Sequence, residues 1–389
     1  EVNSSAPITA PDSKARGITT AQLGTGTTMI NVTAATMTTG GNAIHINNTT
    51  DAGFSADNAG AVTVNVSPGV TVKGGVYGLF ASTRSKAVVT VTNQGTISGG
   101  SNSLTGAVSL QGNTTSLPVP ARLVVNNTGS ISRTNAAAFA ISTTNAGLEI
   151  VNDGTITGNI RSTPISVANG TTADSVKLRA GAVTGNVQLL NGNDDVEWTG
   201  GTYAGTLDLG NGSDTLKVTT PNVGNSAAIL NGGDDVSTAD GMIDVLTVQG
   251  VTSDALGANW RNWEKILLDA STITFTDAAL ATGSDPDMGL VATNGSNIKV
   301  GATFTLTGNL NLAAGTAFTG QGAGAGQFQN TADFLNAGKL GLADGVPGDA
   351  YTTAGIYTGK GGSVALDASA TTADKLVAKA VAADSAPTA

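Results

Sequence analysis

The chain has 389 residues, 40% of them hydrophobic, 12% charged and 4% aromatic, with 53 Gly, no Cys and one His. Enough apolar residues to bury a core exclude wholesale disorder, while charge at half the usual ~25% requires a surface of Thr, Ser, Asn and Gly, as repetitive β-structure provides. The net charge of −10 is concentrated between Asn191 and Asp244, where nine acids face only Lys217, which excludes a nucleic-acid or anionic-membrane surface built on clustered Lys and Arg.

The chain opens on Glu1 with no basic-then-apolar leader, so the expectation is that whatever preceded it has been removed. Residues 1–20 read as an N-terminal extension or cap. Apolar runs such as Ala136 to Ile141 fall far short of the ~20 residues of a membrane helix. Absence of Cys fits either export, which crosslinks would obstruct, or a β-core that needs no staples.

His45 lies in the alternating stretch Ala43-Ile44-His45-Ile46-Asn47, which points it outward from a strand in a structural role. With no other His and no Cys, His-rich zinc and Cys-His chemistry are excluded, and a Ser-His-Asp arrangement would have to use His45. Neither a Gly-x-Ser-x-Gly elbow nor a Walker loop is present.

Residues 21–250 read as β-helix repeats. Val91-Thr-Asn93-Gln-Gly95-Thr-Ile97-Ser, Val125-Asn-Asn127-Thr-Gly129-Ser-Ile131-Ser and Val151-Asn152-Asp-Gly154-Thr-Ile156-Thr share Asn-x-Gly-x-Ile-[Ser/Thr]. Glycines 69, 95, 129, 154, 181 and 201 continue the series at a mean spacing of about 26 residues. Short period-2 strands (Ala61 to Val66, Ala87 to Val91, Arg122 to Val125) between Asn-Gly and Gly-Gly turns cannot bury a face alone, so successive coils must stack. About 15 coils at ~4.8 Å spacing would build a rod of about 70 Å. Asn93, Asn127 and Asn152 would fall in register, either as an amide ladder or as turn residues. The 34-residue interval between Gly95 and Gly129 is longer than its neighbours. Its stretch from Gly99 to Pro120, with Leu117-Pro-Val-Pro120, reads as a projecting loop suited to recognition.

Leu190-Asn191-Gly192-Asn-Asp194-Asp195-Val196, Leu209-Gly-Asn211-Gly212-Ser-Asp214-Thr-Leu216 and Leu230-Asn231-Gly232-Gly-Asp234-Asp235-Val236 place their Asn 20 residues apart. Their Gly-x-Asp-x-hydrophobic kernel is similar to the calcium nonapeptide of β-rolls, and Gly210 to Asp214 comes nearest. The 20-residue spacing and missing Gly-Gly make solvated Asn/Asp turns the default, with calcium as an alternative and no other cofactor expected. Asp194, Asp195, Asp214, Asp234 and Asp235 could also stack as paired carboxylates of a glycan-cleaving β-helix, although no sugar-stacking platform is evident. No catalytic or metal residue is assigned, and no ligand-binding residue can be named.

Residues 251–389 change texture. Asn259-Trp260-Arg-Asn-Trp263-Glu264-Lys-Ile266 supplies two of three Trp, expected in the core or a cap. It is followed by the strand Thr272 to Thr276 and by Gly338-Lys-Leu, Pro347-Gly-Asp349, Gly355-Ile-Tyr357-Thr-Gly359-Lys-Gly361-Gly362-Ser-Val-Ala-Leu366-Asp367 and Asp374-Lys-Leu-Val377. In this order these pieces resemble the end of the passenger domain of type V autotransporters, before the membrane barrel. The Asn-Trp-Glu-Lys-Ile segment and the Asn-Gly-x-Asp-Asp-Val turns resemble passenger repeats, particularly those of alphaproteobacterial adhesin-like members.

The resemblance implies an all-β, right-handed parallel β-helix exported to the bacterial cell surface, Cys-poor because it crosses unfolded, with a stable C-terminal end that folds first. The sequence departs from that pattern by stopping at Ala389, so the expectation is an excised passenger whose only membrane association runs through a barrel absent here. The implied function is non-catalytic adhesion, to a host-cell surface or extracellular matrix or between bacteria by self-association. The alternatives are the glycan-cleaving enzyme and a structural stalk for a head outside this chain.

Overall fold

The computed structural model describes all residues except 22–25, 49–59, 84–85, 101–105, 113–120, 134, 136, 164–171, 322–323, 384 and 386–389. The chain is a parallel β-helix: each coil contributes short strands to separate sheets, and among the described residues the registers between strands of successive coils are parallel. Two compact units divide it, Glu1–Asn211 and Gly212–Ala389.

In the first unit, three sheets enclose the core. The first begins with Val2–Ser4, Thr28–Val32 and Val62–Val66 and continues through Val88–Asn93, Ala121–Asn127, Ala146–Asn152 and Ser175–Leu178 to Asp195–Trp198. Period-2 alternation sends one side of every strand inward. Val64, Val91, Val125, Ile150, Val176 and Val196 therefore stack in one fully buried column. The Ile of the Asn-x-Gly-x-Ile motif does the same in the second sheet, where Val72, Ile97, Ile131, Ile156, Val183 and Tyr203 are in register. Each such side chain contributes roughly 1.5–3 kcal/mol on burial.

The motif asparagines are an amide ladder. Asn93 Nδ2 donates to Asn127 Oδ1 at 2.8 Å, and Asn127 Nδ2 to Asn152 Oδ1 at 2.8 Å. All three are buried, which is tolerable because every Nδ2 is hydrogen-bonded, and in the ladder only Asn93 Oδ1, at its start, lacks a partner among the described residues. Leu178 and then Trp198 take the same place in the next coils, and the ladder ends there. The motif glycines are fixed by close approach: a Cβ on Gly154 would sit 2.2 Å from Gly129 O, and one on Gly129 2.0 Å from Gly95 O.

Residues 1–21 supply three strands, Val2–Ser4, Ile8–Ala10 and Ile18–Ala21, paired in parallel with the coil that follows. The interval from Gly99 to Pro120 is not one projecting loop. Val108–Gln111 is a third-sheet strand between Leu79–Thr83 and Phe139–Thr144, because Ala107, Val108 and Leu110 have a core to fill. Leu117-Pro-Val-Pro120 lies outside the described residues.

The second unit changes its core from aliphatic to aromatic. Leu216, Leu246, Ile266, Leu290 and Leu310 lead in register to Phe334 and Tyr357. Ring contacts run from Trp260 through Phe275, Phe304 and Phe318 to Tyr351 and Phe334. Trp260 and Trp263 are core residues, and Trp263 Nε1 donates to Leu230 O at 3.1 Å.

Candidate functional site

Aromatic side chains are scarce, so their placement is informative. Of fifteen, eleven are buried in the core and Phe54 lies outside the described residues. The remaining three, Tyr77, Phe80 and Phe139, all line one groove of about 250 Å³ on the third sheet of the first unit. Phe80, Ser109, Ser142 and Arg161 are register neighbours on four successive strands, a run of about 14 Å at ~4.8 Å per strand.

The two serines make a low floor, their Oγ atoms 3.0 Å apart. Tyr77 and Phe80 stand at one end with ring centroids 4.7 Å apart. At the other, the Arg161 guanidinium lies 5.8 Å from the Phe139 ring. A β-bulge between Phe139 and Ile141 turns Phe139 out of the inward row, as bulges beside sites commonly do. Arg161 Nε is buried and meets no acceptor among the described residues. A planar donor without an acceptor next to ring faces suits a ligand with an apolar face and a carboxylate.

His45 is half-buried on the outer side of its strand, stacked on Phe80 at 5.4 Å, with Nδ1 2.9 Å from Asn42 Nδ2. Burial, then Arg16, hold its pKa below the ordinary value, so it is neutral at pH 7 and supports Phe80 from outside the groove lining. In the second unit a wider cleft of about 610 Å³ is lined by Lys265, Asp287, Asn309, Asn311 and Asp333, without an exposed ring.

The acids depart from the expected solvated turns. Asp174 and Asp194 in the first unit, and Asp214, Asp244 and Glu264 in the second, each immediately precede a strand and are at most 2% exposed. That position leaves one backbone N–H per coil without a sheet partner, and the carboxylate of the following coil accepts it. In the first unit Leu148 N–H donates to Asp174 Oδ1 and Asp174 N–H to Asp194 Oδ1, both at 2.7 Å. In the second, Asp214 N–H donates to Asp244 Oδ1 at 2.8 Å and Asp244 N–H to Glu264 Oε2 at 2.5 Å. Asp195, Asp234 and Asp235 are exposed. The expected Asp194, Asp214 and Asp234 face therefore does not form, and Asp194 and Asp214 are withdrawn from any substrate.

Burial sets these groups' titration. It lifts Asp174 to about 6, with hydrogen bonds from Ser162 and Leu148 N–H and the charge of Arg122 opposing. The folded state then holds a proton that the unfolded state, near pKa 3.9, has released. Stability from this group is greatest below pH ~4 and declines by up to roughly 3 kcal/mol as pH rises to ~6. Asp174→Asn keeps an oxygen for Leu148 N–H and removes the charge. Urea unfolding is expected to show it gaining about 1–3 kcal/mol on the parent between pH 4 and 8; an equal difference at both pH values would contradict the assignment.

Asp234 and Asp235 belong to an insertion. Asn231 pairs with Arg261 and Val245 with Lys265, so 14 steps in one coil match 4 in the next. In sequence Asp234 aligns with Asp194, but Asp244 takes the rung position, because Val245-Leu246-Thr247-Val248 alternates as a strand and Val236-Ser-Thr-Ala does not. The insertion brings carboxylate oxygens of Asp234, Asp235 and Glu264 within 4.8 Å of one another. Burial first, then repulsion from Asp234 and Asp235, lifts Glu264 to about 7, and burial with the Asp214, Glu264 and Asp234 charges lifts Asp244 to about 8. No family model, curated protein or solved structure matches the chain.

Proposed function

We propose that the chain is the exported passenger of a type V autotransporter acting at the bacterial surface as a non-catalytic adhesin, with the third-sheet groove of the first unit receiving a carboxylate-bearing surface glycan. The convergence of Tyr77, Phe80 and Phe139 beside Arg161 carries this reading, since among the described residues a surface otherwise built of Thr, Ser and Asn concentrates its half-exposed rings at one place. The ordered Gly-x-Leu, Pro-Gly-Asp and Asp-Lys-Leu-Val pieces near the C-terminus support the passenger assignment. Ring-to-sugar contacts and a bidentate Arg need no reacting group.

The test displays residues 1–389 on a non-adherent bacterium through a generic barrel and scores attachment to host cells and settling. Attachment above the empty barrel is expected. Phe80→Ala and Arg161→Ala should each reduce it about 5- to 100-fold, as loss of about 1–3 kcal/mol dictates, with surface display unchanged. Attachment that survives both substitutions would reject the groove, and settling without attachment would move the function to self-association. Regular coils at residues 2–21 and 28–48 favour a stalk as the second reading, which absence of both attachment and settling would select.

A further inference from the structure

We propose that Asp234, Asp235 and Glu264 bind a hard divalent cation, Ca²⁺, which fastens the insertion between Asn231 and Val245 to the coil beneath it. Three oxygens no more than 4.8 Å apart can all be reached from a single point at about 2.8 Å or less, the radius of the circle through an equilateral triangle of that side. Modest closure brings them to the ~2.3–2.6 Å of Ca–O bonds. The set is all carboxylate, with no His or Cys in the cluster, which selects a hard ion over zinc. Exposure of Asp234 and Asp235 leaves room for the waters that complete six to eight ligands.

The observation that points to a ligand is Glu264. It is 1% exposed, and its Oε2 accepts Asp244 N–H while Oε1 has no hydrogen-bond partner. Asp244 behind it is fully buried, and its Oδ2 likewise lacks a hydrogen-bond partner. Among the described residues no Lys or Arg forms a salt bridge with Asp234, Asp235 or Glu264. Burying a carboxylate oxygen without a donor or counter-charge is costly, and a divalent cation supplies the missing charge.

The insertion is shaped for the task. Asp235 N–H donates to Asp234 Oδ1 and Ser237 N–H to Asp235 Oδ1, which aims both side chains. Thr238 N–H and its hydroxyl donate to Asp285 Oδ2 and tether the far side of the insertion. A Cβ on Gly232 would sit 2.0 Å from Asn262 O and 2.9 Å from Asp244 Oδ2, so only glycine lets the insertion approach this closely.

The proposal does not depend on adhesion, and its test uses the purified full chain. Calorimetric titration with Ca²⁺ is expected to show one saturable site of roughly 0.1–1 mM, the range of extracellular calcium modules, and Ca²⁺ should raise the melting temperature. Tb³⁺ should give emission sensitised by neighbouring Trp263 and displaced by Ca²⁺. The exposed double variant Asp234→Asn/Asp235→Asn should fold as the parent and lose binding at least tenfold. Glu264→Gln retains an oxygen for Asp244 N–H and should lose calcium stabilisation without a lower metal-free melting temperature. Absence of calcium-dependent heat and terbium emission in the parent, or parental affinity in the double variant, would overturn the site.

Discussion

Replacing Phe318 by alanine is expected to lower the unfolding free energy of the second unit by about 3–5 kcal/mol, the cost of deleting a buried aromatic ring. Phe318 is at the centre of the ring column, with centroids 6.4 Å from Phe304, 6.2 Å from Phe328 and 5.4 Å from Tyr351. Its neighbours belong to different strands of a stacked core, so no single side chain can swing in to refill the space. Phe318→Leu keeps most of the volume and should cost less than about 2 kcal/mol. Urea unfolding followed by fluorescence reads the second unit through Trp260 and Trp263. A cost below about 1 kcal/mol for the alanine variant would show that the column relaxes, and that coil stacking, not ring packing, carries the stability.

Asp374→Ala is expected to cost about 3–5 kcal/mol, because it removes one charged acceptor shared by three backbone donors. Asp374 Oδ1 accepts N–H from Gly348 at 2.7 Å and from Asp349 at 3.0 Å, and Oδ2 accepts N–H from Asp367 at 2.7 Å. Asp349 in turn accepts Gly326 N–H at 2.6 Å. The Pro-Gly-Asp, Leu-Asp and Asp-Lys-Leu-Val motifs are thus three parts of one hydrogen-bonded junction. Burial alone would raise the pKa of Asp374, but the amides of Asp367, Gly348 and Asp349 outweigh it and hold the pKa below the ordinary carboxylate value. A depressed folded pKa gives stability that is present at neutral pH and lost as pH falls through it. The gap between parent and Asp374→Ala should therefore narrow in strong acid without closing, because the protonated carboxyl still accepts hydrogen bonds. Hydrogen exchange of Lys375–Val381 locates the effect: protection of this strand should collapse first in the variant, and unchanged protection would show that the junction does not hold it.

The two halves of the acid story differ in how far they can be read. Asp349 and Asp374 are legible as motif residues because their neighbours repeat a recognisable order. Asp194, Asp214 and Asp234 are legible as a repeat too, yet the repeat misleads at Asp234. Sequence spacing of 20 fits two alignments, and the strand that packs best, beginning at Val245, decides which is used. Burial of Asp174 and Asp244 has no local signature, because an acid before a strand reads the same whether its coil corner is open or covered.

The inward pattern is written in the residues themselves. The columns of Val, Ile, Asn and Gly at residues 91–97, 125–131 and 151–156 dictate a parallel coil, since alternation fixes which side chains enter the core and only Gly permits the coil-to-coil approach at 129 and 154. Which distant residues meet is set by the stacking of the coils. Tyr77, Phe80, Phe139 and Arg161 are separated by up to 84 positions and share a groove because each coil returns the chain to the same face, with a bulge re-aiming Phe139. Asp234, Asp235 and Glu264 converge for the same reason: stacking sets their distance, and sequence separation does not.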